Sequence, residues 1–178
     1  MAPDNNTNIL VNSKLNAEYI YDFTLHQTYS KLSGFLVNMS GLSILIIAGL
    51  HLRNGTFSLQ ISLLLVSIGI CILIYTPIHL FVSAKKYVRN NESILNIRYS
   101  FDNNGITKDY MENSNSTNSG STYLWKDLSK VVSTPKTIAF FINDNNAYVI
   151  PKQDFRNNFL KIMKLTFDNM NHDKIYIR

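Results

Sequence analysis

Two long apolar stretches that follow one another almost directly constrain this chain more than any other feature of its sequence. Ser33 to Leu52 carries no formal charge over 20 residues, and a helix of that length, rising about 1.5 Å per residue, spans roughly the 30 Å of a bilayer's hydrocarbon core. Phe57 to Val82 is longer, so it must tilt or leave the bilayer early, and Pro77 favours an early exit. Only residues 53–56 separate the stretches. The sequence therefore predicts a transmembrane hairpin of two antiparallel helices, 33–52 and 57–82.

The charges that flank the hairpin predict its orientation. Arg53 is the single formal charge between Lys31 and Lys85. Four basic residues, by contrast, lie just outside the two stretches, at the end of the hairpin away from its turn: Lys31, Lys85, Lys86 and Arg89. We call this the open end of the hairpin. Because Lys and Arg are enriched in cytoplasmic segments next to membrane spans, both flanks are expected on the cytoplasmic side. We therefore expect a two-span protein of the cell membrane with both termini in the cytoplasm.

The two flanks carry the patterns of a membrane α+β protein. Residues 8–15 alternate as a strand does, and residues 16–31 lack Gly and Pro and can form a helix that Asn16 caps. After the hairpin the hydrophobic period becomes strand-like, and short strands are predicted at 94–101, 106–112, 123–125, 131–133, 137–142 and 147–150. A closing amphipathic helix is predicted from apolar side chains at helical spacing: Phe155, Phe159, Ile162, Met163, Phe167 and Met170.

These patterns divide the chain into three parts. Residues 1–32 hold the N-terminal strand and helix, residues 33–84 the hairpin, and residues 85–178 a small antiparallel β domain capped by the C-terminal helix. Residues 113–121 contain no apolar and no charged residue, so they cannot bury enough surface to offset their ordering entropy and are predicted to be a mobile loop. The pattern leaves open whether strand 8–15 joins the C-terminal sheet.

The sequence nominates no catalytic, cofactor or metal site. His26, His51, His79 and His172 lie far apart, without acidic companions at ligand spacing. Gly-rich phosphate loops and the common nucleophile motifs are also missing from the sequence. We therefore expect a protein that is not an enzyme and that needs neither a cofactor nor a metal ion.

The basic excess of the C-terminal region suggests a membrane surface as a partner. Residues 85–178 hold 14 basic and 9 acidic residues, which suits an ordinary solvated surface or attraction to anionic lipid head groups. Lys85, Lys86 and Arg89 favour lipid locally, because they emerge where the potential of the cytoplasmic leaflet acts. No nucleic-acid partner is expected, since the basic residues are mixed with acids rather than clustered around aromatic platforms.

Small residues recur every seven positions in both predicted spans. The first span has Gly34, Gly41 and Ala48, and the second has Ser62, Gly69, Thr76 and Ser83. Facing residues of an antiparallel pair share one sum of residue numbers. Pairing Gly34 with Thr76, Gly41 with Gly69 and Ala48 with Ser62 satisfies this rule and puts the reversal at Gly55. The spacing predicts that these stripes pack against each other at a shallow crossing angle, or else serve contacts with another chain as in a homo-oligomer.

From Lys85 onward the chain resembles the bacterial YcxB-like family. The resemblance rests on Trp125-Lys126-Asp127-Leu128 with two valines following, and on Tyr148-Val149-Ile150-Pro151-Lys152 with Phe155 and the closing helix. The matching residues of interest are Trp125, Leu128, Pro151, Lys152 and Phe155. The resemblance implies a membrane hairpin followed by a domain related to the pleckstrin-homology-like fold. It implies no reaction, because the family has no established one.

These observations lead to two hypotheses about function. In the first, the chain is a non-enzymatic membrane protein that presents a cytoplasmic binding or scaffolding domain at the inner membrane surface, with lipid or an unidentified protein as partner. In the second, it is a structural or immunity- or stress-type membrane subunit that acts through association of its hairpin with other membrane proteins.

Overall fold

The computed structural model of the chain describes residues 8–55, 58–91, 96–110, 120–144 and 146–177. They form two compact units. One, the hairpin unit, is Thr24–Lys85, and the other, the sheet domain, combines Met1–Phe23 with Lys86–Arg178. Two long apolar helices, antiparallel sheets and a C-terminal helix confirm the predicted α+β class.

Two long helices make up most of the hairpin unit. Helix α2 is Leu32–Asn54 and helix α3 is Leu59–Asn90. Gly55 follows α2 in the left-handed conformation (φ 63°, ψ 21°), which glycine adopts without steric cost at a helix C-terminus. Helix α3 differs from the expectation, because it passes Pro77 and continues to Asn90. Proline removes one hydrogen-bond donor, but an apolar helix tolerates that loss where the rest of its ladder is intact.

Helix α1, Ala17–Tyr29, precedes the hairpin. Asn16 caps it as predicted, since its Oδ1 accepts a hydrogen bond from the Tyr19 N–H at 3.0 Å. The helix ends at Tyr29, two residues before the predicted Lys31. A bend follows, because Gly34 of α2 lies so close to the Thr28 carbonyl that a side chain at residue 34 would collide with it.

The sheet domain contains two four-stranded sheets. The first has the order β1-β2-β3-β4, with β1 Ile9–Lys14, β2 Asn96–Phe101, β3 Gly105–Tyr110 and β4 Ser121–Leu124. The second has the order β7-β6-β5-β8, with β5 Lys130–Ser133, β6 Thr137–Phe141, β7 Ala147–Pro151 and β8 Ile175–Tyr176. All pairs are antiparallel except β5 with β8. The two-residue β8 was not predicted, because so short a strand leaves no alternating pattern.

Strand β1 answers the question that the sequence left open. It pairs with β2 along its full length, from Ile9 opposite Phe101 to Lys14 opposite Asn96. The hairpin is therefore inserted between two neighbouring strands of one sheet, and the N-terminal strand is part of the C-terminal domain.

The core of the sheet domain lies between the two sheets. Aromatic rings from both sheets meet there: the ring centroids of Phe101 and Phe140 are 5.6 Å apart, and those of Tyr99 and Tyr148 are also 5.6 Å apart. Val11 of β1 and Trp125 after β4 are buried in the same cluster. Ring pairs at this separation add to the stability gained from burial.

Tight turns connect neighbouring strands of the sheet domain. The Asp102 carboxylate accepts hydrogen bonds from the N–H groups of Asn104 at 2.7 Å and Gly105 at 2.8 Å, which closes the β2–β3 turn. A side chain at Gly105 would collide with the Tyr123 carbonyl of β4, so only glycine fits that position. Most of the predicted mobile loop, residues 113–119, lies outside the described residues, and Ser121 begins β4.

The closing helix, α4, is Phe159–Asn169. Phe155 precedes it, buried in a 3₁₀ segment at Lys152–Asn158. The helix buries Ile162, Met163 and Thr166, and Met170 follows, also buried. The expectation that Phe167 belongs to the buried face is wrong: its side chain is 39% exposed and lies against His172. Thr166 rather than Phe167 completes the buried face of the helix beyond Ile162 and Met163.

Truncation of a buried residue of α4 should destabilise the sheet domain far more than truncation of an exposed one. Ile162→Ala should lower the free energy of unfolding by about 2–5 kcal/mol, because Ile162 is fully buried. Phe167→Ala, the matched control on the same helix, should cost under about 1 kcal/mol. Denaturant unfolding of the detergent-solubilised chain, followed by Trp125 fluorescence, measures both. Equal losses would contradict this helix orientation.

Alkaline pH should weaken the sheet domain through its buried tyrosines. Burial raises the pKa of Tyr148 to about 12, with the neighbouring Tyr123 adding to the shift, and burial also raises the pKa of Tyr99. The unfolded chain loses these protons near the ordinary value of 10.0. Stability is therefore complete below about pH 10 and should fall as the pH rises toward 12.

Unfolding midpoints measured between about pH 9 and about pH 12 test this dependence. Tyr148→Phe should flatten the decline because it removes a titrating hydroxyl, whereas Tyr176→Phe, at an exposed site, should leave it unchanged. The idea fails if the midpoint is constant over this range.

Candidate membrane interface

The hairpin helices expose apolar side chains on almost every side. Only 11% of the most apolar stretch of each helix is buried, whereas a core helix of a soluble protein is mostly buried. Large exposed side chains run along both helices, among them Leu32, Phe35, Leu36, Ile46, Leu59, Leu64, Ile74 and Ile78. Soluble monomers rarely expose a contiguous apolar surface of this extent, and both helices are long enough to cross a bilayer.

Small residues occupy the buried positions of the hairpin. Helix α2 buries Gly34, Gly41 and Ala48, and helix α3 buries Ser62, Gly69 and Ala84. This pattern is the reverse of the sheet domain, where large side chains are buried. It is typical of membrane helices, whose close approach depends on small residues because lipid supplies no hydrophobic drive for helix association.

Gly41 and Gly69 lie against each other. A Cβ at residue 69 would be 3.2 Å from the Gly41 carbonyl oxygen and 2.7 Å from Leu45 Cδ2, and a Cβ at residue 41 would be 2.9 Å from Leu73 Cδ2. Toward the turn, Ala48 and Ser62 are both fully buried. Gly41 and Gly69 thus lie at the contact between the helices, and Ala48 and Ser62 are buried positions of the same hairpin.

Gly34 and Thr76, the third predicted pair, have different surroundings. Gly34 is buried, but its nearest neighbours are the backbone of Thr28 and Tyr29, and Thr76 is only half-buried. Further along α3, Ala84 is buried and Ser83 is exposed. An α-helix drifts by about 20° with every seven residues, so a strict seven-residue stripe leaves the contact face after a few turns.

The basic residues predicted to contact lipid lie on the last turns of α3. Lys85, Lys86 and Arg89 are exposed, and none of them forms an ion pair with a described residue. Lys85 Nζ lies 4.4 Å from the centre of the Phe81 ring. Exposed Tyr87 lies on the same turns, so cationic and aromatic side chains occur together there, as they do at membrane interfaces.

Helix α1 is fastened to the sheet domain by its first two turns. The Asp22 carboxylate accepts hydrogen bonds from the Thr134 hydroxyl and from the Lys136 N–H, the latter at 3.1 Å. Lys136 also forms a salt bridge with Glu18, and this hydrogen bond raises the pKa of the lysine. Phe23 packs its ring 5.8 Å from that of Phe141. The β5–β6 turn therefore holds the start of the helix that leads toward the hairpin.

The residues that carry the family resemblance have structural positions. Trp125, Leu128 and Phe155 are buried in the core. The Trp125 indole N–H donates a hydrogen bond to the Asp102 carbonyl at 2.9 Å. Pro151 ends β7, and the half-buried Lys152 donates its backbone N–H to the Lys136 carbonyl at 2.9 Å. These five residues hold the sheets and the closing segment together.

Within the described ranges, no group of three potential metal-ligating side chains occurs. Two of the histidines lie against aromatic rings instead: His79 against Tyr75 and His172 against Phe167. His26 lies 3.4 Å from the Ser30 hydroxyl through its Nδ1.

The fold and these surfaces define a class: an α+β protein with two candidate membrane spans inserted into a two-sheet domain. Residues 101–162 match the family of YcxB-like proteins, which confirms the resemblance stated from the sequence. The match runs from the end of β2 into α4 and contains all five motif residues, while the hairpin and β1 lie outside it. No curated protein and no solved structure matches the chain.

Enlarging a glycine at the helix contact should separate the two helices. Gly41→Leu places a side chain where Leu73 and Ile72 already lie, so the helices must move apart and lose contacts. Gly49→Leu is the matched control, because nothing lies within 4 Å of a Cβ at that glycine.

Disulfide trapping measures the effect. A cysteine pair at Ala48 and Ser62, in a Cys71→Ala background, should cross-link readily with the Gly49→Leu change and several-fold more slowly with Gly41→Leu. Indistinguishable rates would show that Gly41 is not at the contact.

Proposed function

We propose that this chain is a non-enzymatic membrane protein whose hairpin holds the sheet domain at the cytoplasmic surface of the cell membrane as a binding or scaffolding module. The observation that carries the proposal is the pairing of β1 with β2 across the inserted hairpin. β1 precedes the first span and β2 follows the second. Two strands of one sheet must lie on one side of a membrane, so the helices cross it together and return.

The charge distribution supports a cytoplasmic location for the sheet domain. Lys85, Lys86 and Arg89 are exposed at the open end of the hairpin, whereas the turn carries Arg53 alone. Basic residues next to membrane spans are retained on the cytoplasmic side. The strand pairing supports one side for both flanks, and the charges favour the cytoplasm as that side.

The chemistry of the sheet domain supports a role without catalysis. Two carboxylates of the sheet domain serve structural contacts: Asp102 closes a turn and Asp22 holds the β5–β6 turn. The titratable side chains with strongly raised pKa values are Tyr99 and Tyr148. A tyrosine whose pKa is raised further from neutrality is a poor general acid or base in a cell.

The arrangement of the domain supports a relationship to the pleckstrin-homology-like fold. A four-stranded antiparallel sheet packs on a second sheet, and one helix closes the C-terminal end of the domain. Fold alone does not define a ligand. This likeness therefore supports a rigid domain with exposed loops, which suits contacts with a partner or a lipid surface.

Accessibility to a membrane-impermeant thiol reagent in intact cells tests the location of the domain. In a Cys71→Ala background, a cysteine at Asn54, next to the turn, should be labelled. Cysteines at Asn12 in β1 and Asn146 in the β6–β7 turn, all three exposed positions, should become labelled only after the cells are permeabilised. Labelling at Asn146 without labelling at Asn54 in intact cells would reverse the proposed orientation.

A further inference from the structure

Both connections to the hairpin leave the sheet domain at one end. Lys14, the last residue of β1, is paired with Asn96, the first residue of β2. The segment between β7 and α4 lies at this end too, because the Lys14 N–H donates a hydrogen bond to the Asp154 carboxylate at 3.3 Å. The Lys152 N–H bonds the Lys136 carbonyl in the β5–β6 turn at 2.9 Å. We call this part of the sheet domain the connection end.

The acidic side chains of the connection end are occupied by contacts within the domain. Glu18 pairs with Lys136, Asp22 accepts from Thr134 and Lys136, and Asp154 accepts from the Lys14 backbone. Three basic side chains of the neighbouring segment are exposed: Arg156, Lys161 and Lys164. None of them forms an ion pair with a described residue. Three exposed cations therefore lie beside this end, while its carboxylates make contacts within the domain.

An exposed leucine lies among these basic residues. Leu160, in the first turn of α4, is 77% exposed, more than any other large apolar side chain in the described ranges, including those of the hairpin. Lys164 follows Leu160 by one turn of the same helix, Lys161 is its neighbour in sequence, and Arg156 precedes the helix in the 3₁₀ segment. An exposed apolar side chain with cations close by in the sequence is the composition of protein surfaces that lie in the lipid interface.

The backbone at Arg156 makes this position unusual. Its φ of 47° and ψ of −128° fall in a region that side chains rarely adopt, and it is the one non-glycine residue with positive φ among the described residues. Glycine would relieve the steric cost. The chain instead holds a long cation there, next to the exposed leucine.

We propose that Arg156, Leu160, Lys161 and Lys164 form a docking edge that binds the anionic lipid surface of the membrane in which the hairpin is anchored. This inference rests on the proposed function, which supplies the tether and the lipid. Leu160 enters the head-group region while the three cations contact lipid phosphates. The tether keeps the lipid surface at a high effective concentration, so a small contact area suffices.

The test uses the full chain in nanodiscs, either of phosphatidylcholine alone or of phosphatidylcholine and phosphatidylglycerol in equal parts. With Cys71 replaced by alanine, a fluorophore is attached to a cysteine at exposed Asn157, beside the docking edge, or at exposed Asn146 at the opposite end. Quenching by nitroxide-labelled lipid reports contact with the membrane. The probe at 157 should be quenched several-fold more with phosphatidylglycerol, and high salt should abolish the difference. The probe at 146 should respond to neither.

Two variants separate docking from a structural role. Arg156→Gly should reduce the phosphatidylglycerol-dependent quenching at 157 roughly fivefold, the effect of one interfacial charge, while the unfolding midpoint stays unchanged or rises as strain is relieved. Leu160→Ser should also weaken quenching. Lys126→Gln, an exposed lysine at the opposite end, is the matched control and should change nothing. A lowered midpoint in Arg156→Gly would assign the arginine a structural role and overturn the proposal.

Failure of the docking edge can be told from failure of the proposed function. A fluorophore on native Cys71, which is exposed on α3, should be quenched in both lipid mixtures if the hairpin spans the bilayer. Quenching at residue 71 with equal, weak quenching at 157 in the two mixtures would overturn the docking edge alone. Absence of quenching at residue 71 would overturn both proposals.

Discussion

The pairing of β1 with β2 is the interaction on which the rest of the structure depends. The six-residue β1 supplies an edge strand and the buried Val11 to the sheet domain, although most of the chain's apolar residues lie between the two strands. Without β1, the edge of β2 would expose its backbone hydrogen-bonding groups. Helix α1 extends this dependence, because Glu18 and Asp22 bind the β5–β6 turn. The segment before the hairpin is thus part of the domain that follows it.

The two units are stabilised by opposite rules of packing. In the sheet domain, burial of large side chains such as Phe101, Phe140 and Trp125 removes apolar surface from water. In the hairpin the large side chains face outward, and Gly41 and Gly69 let the backbones approach closely. The sheet domain therefore packs as a protein does in water, whereas the hairpin packs as membrane helices do.

The sequence predicted the elements well because their periods and end signals are local. Long uncharged runs identify α2 and α3, and Asn16 marks the start of α1. The sequence predicted poorly those features that depend on contacts between residues far apart in the chain. β8 is defined by its partner β5, Thr166 is buried where Phe167 was expected, and Gly34 lies against the backbone of Thr28. Of the candidate surfaces, the charges beside the spans were legible in advance, whereas the conformation of Arg156 needed coordinates.

Insertion of the hairpin between two neighbouring strands also sets the order in which the parts of the sheet domain are synthesised. During synthesis β1 emerges first, but its partner β2 emerges only after both spans have been made. Closing a loop of that length costs entropy, and the returning helices reduce the cost by bringing the ends of the loop together. A polypeptide whose two long helices do not return together leaves β1 separated from β2. The sheet domain can therefore be completed only after the whole hairpin has been made.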